Sequence, residues 1–434
     1  MLSRRLLLSS LVPAFGLFSA TTAHAQSDDT EPKPPLFEQL FPKPTGANGF
    51  EEIIRAGQRL SESKAAYPPA AEFTLDKRRA YLADPACREA LVLFRQGIAK
   101  PLHLPAVNPL DTSVAQSQYF VLLMQSFALM RSLARLLAVD IYVALADGKN
   151  DAAIRTVADG LKLSYSFKGM SIIAGLVGNA LDAILLTTLT QLRESWNAKD
   201  CSRLTRLAGQ WLAAPNPIIA ALSVERELSL RFLREMREDP QGVSEQLESH
   251  YAVDEEETET AQSREAETAA TTLRTDAAVR ERVFGEMSGV INEHYDKAFA
   301  LVKNPTGRMS IDPTVETDAN RHPITLMLRS VVLLSAPNIV QRSIEDRLQL
   351  QLLAVHAAIR GHRWHYARLP KTLDELKLPA NIVADPFTAK PLLYEPESKG
   401  SGYTLASAGA LVPGTDGKPD ARDRVMLPRE PRKP

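Results

Sequence analysis

Cysteine is nearly missing: 434 residues carry only Cys87 and Cys201. A framework of several disulfides is thereby excluded, and a Cys87–Cys201 bridge is the single pairing left. Such a bridge would close a loop of about 114 residues, worth up to about 4–5 kcal/mol in the chain-entropy view. Two buried thiols are the alternative, because cysteine is among the most buried residue types. Charge of one sign is missing too: the net value is −1, so no basic field draws nucleic acid or anionic lipid. The chain also lacks a Gly-rich phosphate loop, a Ser nucleophile elbow and a Cys-x-x-Cys pair, and the chemistries those motifs carry have no foothold. What is present is an ordinary apolar share, 44%. In a chain of this length it supports about two or three domains and a sizeable core.

The N-terminus reads as a targeting segment. Arg4 and Arg5 supply its charge and 6–18 its apolar run. Ala23-His24-Ala25 is a small-x-small cleavage site that leaves Gln26 first. Ser3-Arg4-Arg5-Leu6-Leu7-Leu8 also resembles a twin-arginine export signal. Either route predicts an exported chain, periplasmic or extracellular. Residues 26–48 are Pro-rich and charged, a flexible lead.

From Phe50 the pattern turns helical. Ile53, Ile54, Gly57 and Leu60 share one face, and Leu91, Phe94 and Ile98 another over 85–99. Residues 116–146 are apolar almost all round, which predicts a helix at the centre of a bundle. Gly148 and Asp151 read as a C-cap and an N-cap around a turn. Ile154, Val157, Ala158 and Leu161 then repeat at helical spacing. A second very apolar helix over 170–193 is followed by Leu204, Leu207, Ala208 and Trp211, with Asp200 as cap. All six of Ile154, Val157, Leu161, Leu204, Leu207 and Trp211 are expected to be buried. Long apolar helix, turn, short amphipathic helix, repeated, resembles the stacked pairs of tetratricopeptide-like solenoids. Over 240–275 acidic residues, Thr, Ser and Ala dominate, and a solvated loop or exposed helix is expected.

The last eighty-odd residues run from a helix over 339–361 into Leu369-Pro370. Next come Asp385-Pro386-Phe387 with Pro391 and Tyr394, then Ser407, Gly409 and Asp416-Gly417. This order resembles the globular part of type II secretion major pseudopilins. The resemblance implies a small α+β module, with antiparallel strands at 391–395 and 402–407 and a third near 424–427. Ala389 stands where the pseudopilin motif has glycine, and Ala410 to Gly414 is an insertion. A pilin-type N-terminal helix is missing, so the chain is not itself a pseudopilin subunit. The combination is similar to a group of uncharacterised exported bacterial proteins that join an α-helical, tetratricopeptide-like region to such a module. The expected class is mostly α: a helical-hairpin or solenoid-like body followed by a small α+β pseudopilin-like C-terminal module. The expected bounds are a signal peptide, 1–25; the lead, 26–48; an α-helical repeat-like domain, 49–240; the acidic segment, 241–277; further helices and a Pro-containing loop, 278–338; the module, 339–428; and a tail, 429–434.

Candidate chemistry is sparse. Asp416, Asp420 and Asp423 lie in the region where the major pseudopilins bind calcium, and a loop can bend carboxylates around a hard cation; Asp-Gly is also plain turn chemistry. His356, His362 and His365 gather at a helix end without a neighbouring acid in sequence, which suits snorkelling side chains better than zinc. His294 falls on an apolar stripe and reads as a core residue. Glu225, Glu227 and Asp182 interrupt apolar helices. Such acids either act as general acid and base or meet an arginine and fix helix register. Residues 170–193 are long enough to span a membrane, but Asp182 and the apolar stripes of the neighbouring helices favour a soluble bundle with no integral membrane segment in the mature chain.

The expected function is an exported, non-enzymatic binding or scaffold protein of the cell envelope that meets protein partners through its helical surface and needs no cofactor, with calcium as the one candidate ion. The alternatives are an envelope hydrolase using buried carboxylates, or an accessory component of a secretion or pilus-like system. Mass spectrometry of the exported chain should find Gln26 at its start, and an intact Met1 in that fraction would refute the signal. Changing Arg4 and Arg5 to lysine should block a twin-arginine route and spare a general one.

Overall fold

Capping chemistry sets the helix boundaries. The computed structural model describes residues 48–63, 67, 73–102, 114–243, 247, 261–305, 321–333, 336–397, 402–409 and 424–427. Helix α1 (Gly49–Ser61) begins where the Asn48 side chain accepts from Phe50 N. Helices α2 (Leu75–Ala83) and α3 (Pro85–Ile98) meet at Asp84, whose carboxylate accepts from Ala86 N and Cys87 N. Pro85 fits there because the first helical N–H has no partner to lose. Then come α4 (Val114–Ala146), α5 (Asn150–Lys168), α6 (Ile172–Gln191) and α7 (Ala198–Ala213).

Two expected caps are corrected. Asp151 is not the cap of α5; that place is taken by Lys149, with no side-chain bond. Asp151 instead sits exposed in the first turn, paired with Lys199 and Arg203. Asp200 does not start α7. Asn197 does, and Asp200 closes a reciprocal capping box three residues later. Asp200 also accepts from the Asn150 side chain at 2.6 Å, which locks the start of α7 to the start of α5.

The second half is helical as well: α8 (Ile218–Glu238), α9 (Ala261–Thr275), α10 (Ala277–Lys303), α11 (Pro323–Val332) and α12 (Ala336–Tyr366). The acidic segment therefore contains a packed helix rather than only loop or exposed helix. Ala266, Ala269, Ala270 and Leu273 of α9 are buried, and α9 lies on α10. Small alanines let one face bury although the other is charged.

The core is continuous. Helix α6 packs on α4, α5 and α12; α7 packs on α12; α8 packs on α10. Ile154, Val157, Leu161 and Leu204 are buried as expected. Leu207 and Trp211 are only half-buried. The large core residue is Trp196, between α6 and α7, the biggest fully buried side chain among the described residues. Cys87 and Cys201 are both free and buried, so the thiol alternative holds and the bridge does not form. Burial raises both thiols, Cys201 to about 12, which leaves them unreactive.

After α12 the chain forms a short helix, α13 (Ala380–Val383), and an antiparallel sheet of β1 (Leu393–Pro396), β2 (Tyr403–Ser407) and β3 (Val425–Met426) in the order β1-β2-β3. Leu393 pairs with Ala406, and Ser407 with Val425. The sheet packs against α12 through β2 and β3. The protein is thus mostly helical with one small three-stranded sheet.

The Asp385-Pro386-Phe387 motif has a structural task. Asp385 is buried, and its carboxylate accepts from Phe387 N at 2.9 Å, Ser407 Oγ at 3.0 Å and Ala408 N at 2.7 Å. It ties the motif to the end of β2. The turn then closes through Ala389 at φ 56, the left-handed region where a Cβ costs about 1–2 kcal/mol and glycine is free. Ala389→Gly should therefore stabilise the protein by about 0.5–1 kcal/mol, after the entropy that glycine adds to the unfolded chain. Urea denaturation checks it; a lower midpoint would mean the turn carries no strain.

Candidate functional site

Three charged side chains meet inside the helical body. Lys168 is the last residue of α5, and Ser171 starts α6 by accepting from Ala174 N, so the two helices turn back on each other within four residues. Gly178 lets them close. A Cβ there would lie 2.7 Å from Lys168 Cγ and 2.7 Å from Ser164 O; instead Ser164 Oγ donates to Gly178 O at 2.9 Å. The Lys168 ammonium then donates to the Asp182 carboxylate on α6 and to the Asp346 carboxylate on α12. Exposure of the three side chains is 10%, 3% and 5%.

The electrostatics follow from burial. Burial works to lower the Lys168 ammonium, but Asp182 and Asp346 outweigh it and the group is held above its ordinary range. Burial pushes the Asp182 carboxyl up, and the pull of Lys168 only partly opposes it. The two directions are compatible: one ammonium gains from two carboxylates, while each carboxylate has only a share of one ammonium.

Both acids line a small cleft, about 20 Å³ of space open to water, room for about one molecule. Its walls include Tyr165, Trp211, Asn216, Ser343 and Arg347. The Tyr165 and Trp211 rings stand 5.1 Å apart, and the Tyr165 hydroxyl donates to Pro215 O at 2.7 Å. Arg347 donates to the Leu212 and Ala214 carbonyls, at the C-terminal end of α7. Burial lowers its guanidinium, yet a cation at a helix C-terminus is well placed.

The sequence candidates are distributed differently from any catalytic pair. Asp182 enters the trio, with a lysine rather than an arginine as partner. Glu225 does not reach it. Its carboxylate accepts from Ile172 N at 3.1 Å, at the start of α6, ten residues and about 15 Å along the helix from Asp182. Burial raises Glu225, against that bond. Glu227 is exposed. His356 is buried between α12 and the sheet, with Nδ1 2.8 Å from the Tyr403 hydroxyl and Nε2 2.6 Å from Leu427 O. A carbonyl can only accept, so Nε2 carries the hydrogen and Tyr403 donates to Nδ1. Burial lowers His356 to about 3, consistent with that neutral form. His362 does have an acid beside it, contrary to expectation: Glu375 lies 3.3 Å from its Nε2. That carboxylate comes from the turn after α12. His365 is exposed, and His294 is buried against Tyr295, as its stripe suggests. Asp416, Asp420 and Asp423 lie outside the described residues. Among the described residues no group of three or more His, Cys, Asp or Glu is placed to hold a metal ion.

Lys168 and Asp346 were missed by sequence reasoning, although a signal existed. Ser343 and Asp346 sit on the Ile339, Leu350, Leu353 face of α12, an acid inside an apolar stripe, as Asp182 is in α6. Also missed was a surface. At the end of α12, Trp364 and Tyr366 are 53% and 65% exposed. Trp364 is held by its indole N–H donating to Trp196 O at 2.9 Å and by Arg360 over its ring. Tyr366 stacks on His362 with ring centres 4.5 Å apart.

Helix α6 is the one helix among the described residues long and apolar enough to cross a membrane, and half of that apolar window is buried inside the fold. No family model, curated protein or solved structure matches the chain.

Removing the lysine leaves two carboxylates facing each other in the interior. Lys168→Met should cost about 3–5 kcal/mol, read as a fall in the urea midpoint. Lys149→Met, at an exposed turn, should stay within about 0.5 kcal/mol. Equal effects would mean the trio contributes nothing to the fold.

Proposed function

We propose that the chain is an exported, non-enzymatic binding or scaffold protein of the cell envelope. The observation that carries the reading is the aromatic surface at the end of α12. Trp, Tyr and Arg are the residues that dominate binding hot spots, and here they are fixed in place by contacts with Trp196 O and His362 rather than free to rotate. Rigid aromatics lose little entropy on binding. Residues 360–371 carry Arg360, Arg363, Arg368 and Lys371, four cations against the two carboxylates, Glu194 and Glu375, that pair with them. The fitting partner is a protein segment that is acidic and carries apolar side chains.

The rival hydrolase reading loses support from the same geometry. Its acids, Asp182 and Glu225, are each engaged by a structural donor at separate points of α6. The pseudopilin-like reading of the C-terminal module draws support from the helix followed by antiparallel strands, and the solenoid-like reading from α4 to α7. An accessory role in a secretion system is the variant of the proposal in which the partner is pilin-like. Calcium at Asp416, Asp420 and Asp423 belongs to that variant and rests on the sequence alone. Helix α6 is taken as a core helix, since it carries one member of the buried trio.

A photocrosslinker at position 366 of the full chain, in its own envelope, should give a discrete protein adduct. Trp364→Ala should weaken that adduct about tenfold, a loss of about 1.4 kcal/mol. The same probe at Val92, exposed on α3, should give none. A folded chain that yields no adduct at 366, or only lipid or glycan, would overturn the reading.

A further inference from the structure

The interior trio brings two carboxylates onto one ammonium. Asp182 and Asp346 both bond Lys168 Nζ, so they are held within a few ångströms of each other, away from bulk water. Like charges that close resist joint ionisation, the physics of a carboxyl dyad. The groups facing the site are few. Helix α5 presents Lys168 and Tyr165, α6 presents Asp182, and α12 presents Ser343, Asp346 and Arg347; α7 and the turn after it present Trp211, Asn216 and Pro217. Arg347 is directed at the Leu212 and Ala214 carbonyls, and Tyr165 at Pro215 O. Ser164 of α5 and Asp346 of α12 both stand within hydrogen-bonding reach of the Asp182 carboxyl. The cleft beside the pair has room for about one water, a route by which a proton can enter or leave without unfolding.

We infer that Asp182 and Asp346 hold one proton between them at neutral pH, and that this proton sets how firmly α12 docks on α5 and α6. With the proton, the Lys168 ammonium faces one carboxylate and one neutral acid, while the Arg347 guanidinium, which also feels Asp346, is turned to the α7 carbonyls. Without it, a second buried carboxylate repels the first across the helix interface. The inference is independent of the proposed function, because it concerns only the joint between α12 and the body.

The sign follows from linkage. The Asp182 carboxyl is raised by burial, so the folded chain keeps a proton that the unfolded chain gives up above the ordinary aspartate range. The stability this contributes is complete at acid pH and is lost as pH rises through the raised value. Helix α12 also carries the C-terminal sheet, so alkaline conditions loosen the body where the module is attached.

Infrared difference spectra of the full chain, with aspartate carboxyls labelled by carbon-13, give the direct test. The label moves aspartate bands away from glutamate, and so from Glu225, which burial also raises. A protonated aspartate band should be present at pH 7, disappear on going alkaline, and be missing in Asp182→Asn or Asp346→Asn at pH 7. In urea, the wild-type midpoint should fall as pH rises above the ordinary aspartate range, and Asp182→Asn should show a shallower fall, the part left to other acids that burial raises, Glu225 and Asp159. Absence of a protonated aspartate band in the wild-type chain at pH 7 overturns the inference, even if neither variant folds. An unchanged pH slope in Asp182→Asn overturns it as well.

Discussion

Lys168 enters the interior from the last turn of α5 and finds one carboxylate from its neighbour in sequence, Asp182, and one from far along the chain, Asp346. Each charge taken from water costs several kcal/mol unless it is met by an opposite one. Helices α5, α6 and α12 are therefore constrained to one rotation and one height relative to each other. A slip of one turn in any of them, about 5.4 Å, would strand an ion in the core. Apolar faces alone tolerate such slips far better, because hydrophobic contact has no direction.

Helix α12 transmits that constraint to the C-terminal sheet. At one end it carries Asp346. Further on, His356 reaches the Tyr403 hydroxyl in β2 and Leu427 O beside β3. Near its end Arg360 pairs with Glu194 and donates to the Glu194 and Trp196 carbonyls, which precede α7. The helix thus meets the body by ion pairs and the sheet by a neutral imidazole. His356 stays uncharged because burial keeps its basicity low, so the sheet contact is insensitive to mild acid while the body contact is the part that titrates. The Trp364 and Tyr366 surface lies at the junction and inherits its rigidity from both sides.

Much of this was legible in the sequence, for a local reason. Helical spacing found α1, α3 and α4 to α7, and the motif order from Asp385 to Gly409, through its resemblance, pointed to the strands. Those signals depend on a residue and its neighbours within one element. The failures share the opposite property. Asp346 and Lys168 are 178 positions apart, so nothing near either one announces the other. Trp211 was expected in the core and is only half-buried, because spacing gives a face but not what covers it; Trp196, outside any helical stripe, is the large side chain that is fully buried. Asp200 was read as a cap since its type suits one, yet Asn197 three residues earlier completes the box. Glu375 escaped notice beside His362 because a turn, not a helix face, brings it there.

The trio also bears on why a protein would keep charge where leucines would pack. Replacing a buried ion group by apolar residues is often neutral or stabilising, so stability alone does not explain it. Uniqueness of arrangement is the better account here. Helices α4, α5, α6 and α7 offer similar apolar stripes, and a fifth apolar helix could dock against several of them with nearly equal energy. An acid on α12 that matches only the Lys168–Asp182 pair removes that degeneracy. The cost is a carboxyl pair that one lysine cannot neutralise, and that cost is what makes the joint responsive to protons.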